Sequence, residues 1–133
     1  MRRLAAACAA MAGGLAACAA PPPPAPPPGA LQGVLWRLER LGGDPAPSGV
    51  TLAFGEGELR GAGPCNRYFG GFAREGARLA LGPIAATRRA CPGLDAEQRY
   101  FASLTEVASF VREGGRLEMR GPEGAPLLVF ADR

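Results

Sequence analysis

The residues of this chain whose types and spacing bear on chemistry are Cys18, the pair Cys65 and Cys91, Asn66 beside the first of that pair, and Arg88-Arg89 shortly before the second. There is no histidine among the 133 residues. Cys-His and Ser-His nucleophile pairs are therefore impossible, and two domain cysteines alone cannot build an ordinary zinc site. Paired carboxylates at a useful spacing, a phosphate-cradling glycine loop and an EF-hand pattern are absent too. Gly55-Glu56-Gly57 lacks the strand-loop-helix context of a nucleotide site. These exclusions remove most enzyme classes, and no catalytic residue, cofactor or metal is expected.

Thiol chemistry is what remains. Arg88 and Arg89 would lower the pKa of a nearby Cys91 thiol, but an oxidising compartment favours pairing over a free thiolate. No Cys-x-x-Cys is present. A disulfide between Cys65 and Cys91 is preferred on these grounds to redox exchange or to two unpaired thiols. Asn66, next to Pro64 and Cys65 in a turn, is expected to bond neighbouring backbone in preference to a ligand. Arg88-Arg89 is read as a solvated pair in preference to an anion site.

The compartment follows from the N-terminus. Met1-Arg2-Arg3, the apolar stretch Leu4 to Ala12 and a small-residue cleavage site have the three parts of a signal peptide, with an apolar run too short to span a bilayer. Leu15-Ala16-Ala17-Cys18 fits the Leu-small-small-Cys lipobox, in which the thiol receives diacylglycerol and the preceding peptide bond is cut. Cys8 competes poorly, because Ala5 stands where the lipobox wants leucine. Residues 1–17 are read as signal peptide and Cys18 as the lipid-bearing mature N-terminus. Several acyl chains on one residue, palmitate among them, anchor stably where a single chain does not. Ala19 lacks the aspartate that signals inner-membrane retention, so the outer membrane, facing the periplasm, is the expected location.

All fifteen basic residues are arginine, and the formal net charge is +3. Loss of Arg2 and Arg3 with the signal brings the mature chain near +1. Arginine and glutamate alternate along the segments, so the clustered charge that binds nucleic acid is missing.

The elements that must position these residues begin after a tether. Residues 18–30 include Pro21-Pro22-Pro23-Pro24-Ala25-Pro26-Pro27-Pro28, a polyproline II spacer that stands the domain roughly 25 Å off the membrane at about 3.1 Å per residue. Residues 31–133 form the domain. Val34-Leu35-Trp36-Arg37-Leu38 reads as a first strand, Val50, Leu52 and Phe54 mark a second, and Glu58 to Gly61 begins the return. Asn66 to Phe72 follows, with Gly70 and Gly71 predicting a bulge or a close backbone approach. Leu79 and Leu81 share one face of the next strand. Asp95 and Gln98 make a capping-box pattern opening a helix, whose apolar face runs through Tyr100, Phe101, Leu104, Val107, Ala108 and Val111. Gly114-Gly115 predicts a hairpin with Leu117 and Met119 inward, and Leu127 to Phe130 is a final, well-covered strand. The expected fold is α+β, a curved antiparallel sheet, partly open and barrel-like, with one principal helix.

Three stretches, in order, resemble the META domain family, which includes the HslJ-like lipoproteins. They are Trp36-Arg37-Leu38, then Cys65-Asn66-Arg67-Tyr68-Phe69-Gly70-Gly71-Phe72, similar to a G-C-N-x-F-x-G-x-Y signature, and Thr87-Arg88-Arg89-Ala90-Cys91, similar to T-x-x-A-C. Glu97, the helix and two closing strands follow. Asn66, Gly70, Phe72 and Thr87 are the motif positions beside the two cysteines; Pro64 departs from the usual glycine and leaves the shape of the entering turn open. The resemblance implies a cell-envelope protein with no established catalytic activity, associated with stress response in some members. A non-enzymatic module that binds a protein or helps maintain the envelope under stress is therefore expected, held to the membrane by its lipid. Two alternatives compete with it: a carrier of a small apolar ligand, with Phe69, Phe72, Phe101 and Phe130 lining a cavity, and an inhibitor of an envelope protease.

Overall fold

The computed structural model describes Ala20, Pro21 and residues 30–133. Residues 1–17, read above as a signal peptide, Cys18 and most of the proline run lie outside the described residues. Among the described residues, ten strands and one helix follow one another: β1 (Trp36–Leu41), β2 (Asp44–Pro45), β3 (Thr51–Phe54), β4 (Glu58–Ala62), β5 (Arg67–Glu75), β6 (Arg78–Leu81), β7 (Ala85–Ala86), α1 (Leu94–Glu106), β8 (Ser109–Glu113), β9 (Arg116–Arg120) and β10 (Pro126–Ala131).

The strands pair antiparallel in the order β10-β9-β8-β6-β5-β4-β3-β1, and β1 then pairs with β10 through Arg37↔Ala131, Leu38↔Phe130 and Leu41↔Leu128. The sheet thus closes into an eight-stranded barrel. The α+β class and the barrel-like curvature are as expected from the sequence, and the β1–β10 pairing adds the closure. Closure removes the free edges that an open sheet would expose. The seam is thinnest between β6 and β8, where Arg78 faces Ser109 and single bonds run from Leu79 N to Ala108 O and from Phe110 N to Ala77 O, each 3.0 Å.

Alternation decides what fills the barrel. Trp36, Leu52, Leu59, Tyr68, Leu79 and Phe130 point inward and are buried, as are Leu117 and Met119 of the β8–β9 hairpin. The first strand starts later than its apolar residues suggest, at Trp36, and leaves Leu35 49% exposed. A register shift between Leu38 and Arg40 then turns Leu41 inward instead of Arg40, extending the strand beyond the expected end. Trp36 donates its indole N–H to Leu31 O at 3.2 Å, and the Arg112 guanidinium lies 5.0 Å from its ring centroid.

Strand β5 changes partners along its length. Residues Arg67 to Gly71 pair with β4 and Phe72 to Glu75 with β6. The change falls at Gly70-Gly71, where a Cβ on Gly70 would sit 2.9 Å from Pro83 O. The close approach expected of that glycine pair is present.

Helix α1 packs against β6 and β10 and buries Tyr100 and Leu104. Two features of it differ from the sequence reading. Its N-cap is Gly93, and no side chain caps it, so Asp95 and Gln98 form no capping box. Cys91 starts the helix earlier: its carbonyl accepts from Leu94 N at 3.2 Å and its sulfur from Gly93 N at 3.3 Å. The helix stops at Glu106, because Val107 turns extended at ψ 129°. Ala108 and Val111 continue the helical spacing by coincidence, and Val111 belongs to β8.

Candidate functional site

Four of the family-motif residues, Cys65, Asn66, Thr87 and Cys91, converge on the turn between β4 and β5. Gly63 N donates to Asn66 O at 2.7 Å, closing a turn that carries Pro64, Cys65 and Asn66 toward the start of α1. Cys65 and Cys91 are joined as a disulfide with Cα atoms 5.8 Å apart. The bond ties this turn to the residue that starts the helix.

Asn66 is 5% exposed and uses its whole carboxamide. Nδ2 donates to Arg89 O at 3.1 Å and to Glu97 Oε1 at 2.6 Å, while Oδ1 accepts from Arg89 N at 2.6 Å and from Thr87 Oγ1 at 3.0 Å. Two donors and two acceptor sites are all that an asparagine side chain has. Asn66 bonds backbone, but not the neighbouring backbone expected of it: its main-chain partner, Arg89, lies 23 residues away instead of in its own turn. The neighbouring turn N–H groups are taken by Glu97, which leaves the carboxamide to reach across.

Glu97 is the residue that sequence reasoning left without a role. Its carboxylate is 4% exposed, and Oε2 accepts from Cys65 N at 2.8 Å and Asn66 N at 2.7 Å. With Asn66 Nδ2 on Oε1, three N–H donors satisfy a charge that would otherwise be costly to bury. Gly63 leaves the room this needs, since a Cβ there would come 2.8 Å from Oε2. The signal was a glutamate in the first turn of a predicted helix, just after the second cysteine, but its partners are main-chain groups that no side-chain pattern reveals.

Two tyrosines form a second buried polar unit, also unforeseen. Tyr68 donates to Thr51 O at 2.6 Å, so Tyr100, 2.6 Å from the Tyr68 oxygen, donates to it. Burial raises the pKa of Tyr68 above the ordinary phenol value, partly countered by the bond from Tyr100. Burial and the neighbouring phenol raise Tyr100 as well. Both phenols are therefore neutral at physiological pH and cannot serve as bases. Gly61 permits this crossing: a Cβ there would lie 2.0 Å from Thr51 O and 2.6 Å from Tyr68 Oη.

The other sequence-singled residues are dispersed. Gly70 and Phe72 lie outside the Asn66 cluster, Phe72 packing edge-on against Phe54 with centroids 5.1 Å apart. Thr87 joins the cluster and also accepts from Arg67 N at 3.2 Å. Arg88 and Arg89 are exposed. Of the four phenylalanines that a carrier would turn toward a ligand, Phe130 is fully buried in the core and Phe69 is 64% exposed. Phe101 packs on Tyr68. Among the described residues, no group of three or more acidic, histidine or cysteine side chains comes together to hold a metal.

Fold and site together define a small closed barrel, plugged by one helix and locked at that helix's start by a disulfide and a buried Asn-Glu pair. The model of the META domain matches residues 29–133, and the chain belongs to that family. No curated protein shows a significant match. Among solved structures, an NMR structure of a protein from Burkholderia xenovorans superposes with a TM-score of 0.65 at 24% identity, covering 77% of this chain and 83% of that one. A second NMR structure gives 0.61 at 25% identity over 77% and 91%. A duf4847 family protein from Bacteroides vulgatus gives 0.56 at 12% identity over 64% and 60%, a likeness of fold alone. Neither the family model nor these neighbours names a catalytic activity.

Proposed function

We propose that the chain is a lipid-anchored envelope protein whose META domain binds another protein and turns over no substrate. One observation carries the second half of this reading. The buried polar groups of the site are already committed to the fold, Asn66 by four hydrogen bonds and Glu97 by three. Both domain cysteines are paired and both buried tyrosines are neutral. A domain so built offers a rigid outer surface, which is what a binding module needs.

The first half rests on the lipobox Leu15-Ala16-Ala17-Cys18 and the proline run behind it. Anchoring would hold the domain near the outer membrane, within reach of other envelope proteins and of a role in envelope stress. Crosslinking in intact cells tests the whole reading, with Cys18→Ala as the unanchored control. The expected result is a discrete envelope protein captured by the anchored chain and lost or much reduced with the control. Robust turnover of a hydrolase, transferase or thiol-exchange substrate, abolished by Asn66→Ala while the fold persists, would overturn it.

A further inference from the structure

The second motif segment does more than carry Cys91. β7 pairs with β5 through Phe69↔Ala85 and Tyr68↔Ala86, and Thr87 N donates to Arg67 O at 3.0 Å. β5 then ends, yet the ladder goes on. The Asn66 carboxamide accepts from Arg89 N and donates to Arg89 O, the two bonds that a further strand residue would make. Along an extended strand the main-chain groups alternate sides. With Thr87 and Arg89 bonded inward, the N–H and C=O groups of Ala86 and Arg88 point away from β5. This is a sheet edge held extended beyond its two named strand residues, beside the closed barrel.

That edge faces a cleft. Residues 84–90 form one wall, and Leu94, Glu97, Gln98 and Phe101 form the other, spaced so as to share one face of α1. The cleft holds about 550 Å³. Ile84, Leu94 and Phe101 are half-buried in it, and Arg88 and Arg89 stand exposed on its rim, neither in an ion pair among the described residues. The one carboxylate in the lining, that of Glu97, is turned into three N–H donors.

We propose that this edge binds an extended acidic segment of a partner protein, added as one more strand, with main-chain bonds to Ala86 and Arg88 and carboxylates on Arg88 and Arg89. Strand addition draws affinity from main-chain bonds and specificity from alternate side chains. The unpaired arginines select acidic side chains. They also disfavour a second copy of this chain, because edge-to-edge pairing would set Arg88 and Arg89 against the same pair. The inference rests on the protein-binding reading above and names its surface and the chemistry of its partner.

The test is to pan a random seven-residue peptide library on the full mature chain made soluble by Cys18→Ala, then titrate synthetic versions of the winners. Enriched peptides should carry acids at neighbouring positions, one for each face on which an arginine stands, weaken as salt rises, and shift the amide resonances of Ala86 and Arg88 most. The exposed double reversal Arg88→Glu/Arg89→Glu should weaken them roughly tenfold or more without altering the unfolding midpoint. Ala86→Pro, which removes an outward N–H and keeps the charge, should do the same where it folds. The proposal is overturned by winners without acids, by winners that bind the double reversal equally well, or by a panning with no enrichment. Binding of that reversal-sensitive surface to anionic phospholipid vesicles alone also overturns it. If the crosslinked envelope partner is captured equally by wild type and the double reversal, protein binding stands and this edge is not its site.

Discussion

Replacing Glu97 by glutamine keeps the shape of the side chain and tests the lock at the helix start. The carboxylate accepts three N–H groups, at 2.8, 2.7 and 2.6 Å. A glutamine keeps one carbonyl for the two main-chain donors and turns its own NH2 against Asn66 Nδ2. Flipping Asn66 does not help, because its oxygen would then face Arg89 O. Downgrading two charge-assisted bonds to neutral ones costs about 1 kcal/mol each, and the opposed donors cost about 1–3 kcal/mol more. Relief of the buried charge's desolvation offsets part of this, leaving a net loss of about 2–3 kcal/mol. In a domain of this size each kcal/mol moves Tm by roughly 4–8 °C. The assay is urea unfolding of the disulfide-intact chain, with the exposed Glu106→Gln as control. A Glu97→Gln midpoint that matches wild type at unchanged slope would refute the argument that this carboxylate holds the β4–β5 turn to α1.

Gly61→Ala should cost at least about 3 kcal/mol, since its Cβ would meet the Thr51 carbonyl at 2.0 Å, whereas Gly115→Ala meets only the movable Asp132 carboxylate and should be much milder; thermal unfolding compares them. Reducing the Cys65–Cys91 bond, which closes a separation of 26 residues, should cost roughly 3–4 kcal/mol, and alkylation under denaturing, non-reducing conditions should find neither thiol. The folded pKa values of Tyr68 and Tyr100 are raised, so their contribution to stability is complete below the unfolded phenol value of about 10 and fades as pH climbs above it. Tyr100→Phe should flatten that alkaline loss, measured as the unfolding midpoint between neutral and high pH. Mass spectrometry of the mature protein should find Cys18 acylated at the N-terminus; an unmodified N-terminus elsewhere would remove the anchor.

Strands were legible where burial alternates cleanly, as at Leu117 and Met119, and where glycines punctuate, as at Gly114-Gly115. Barrel closure was not legible, because β1 and β10 sit at opposite ends of the domain and their register is a long-range matter. The helix ends were misplaced for local reasons: a disulfide-bonded residue starts the helix where a capping box was expected, and the extended turn at Val107 stops it while the apolar spacing runs on. At the site, Asn66, Thr87 and the two cysteines were visible as motif positions. Glu97 was visible as the residue that follows the second motif, but its role was not, since two of its three donors are main-chain N–H groups and a sequence does not show which backbone donors a turn leaves open. The same limit hid the edge at Ala86 and Arg88, which runs on past β7 because the Asn66 side chain takes the place of a strand.

The most direct test of protein binding by this domain is site-specific photocrosslinking in cells that make the full chain with Cys18 in place. One photoreactive residue replaces Gln98 on the cleft wall, and another, in a separate strain, replaces Glu123 in the β9–β10 turn outside it. One discrete envelope-protein adduct is expected from position 98, diminished by Arg88→Glu/Arg89→Glu, and none from position 123. No adduct from either position, or the same adducts from both, would contradict protein binding at the cleft.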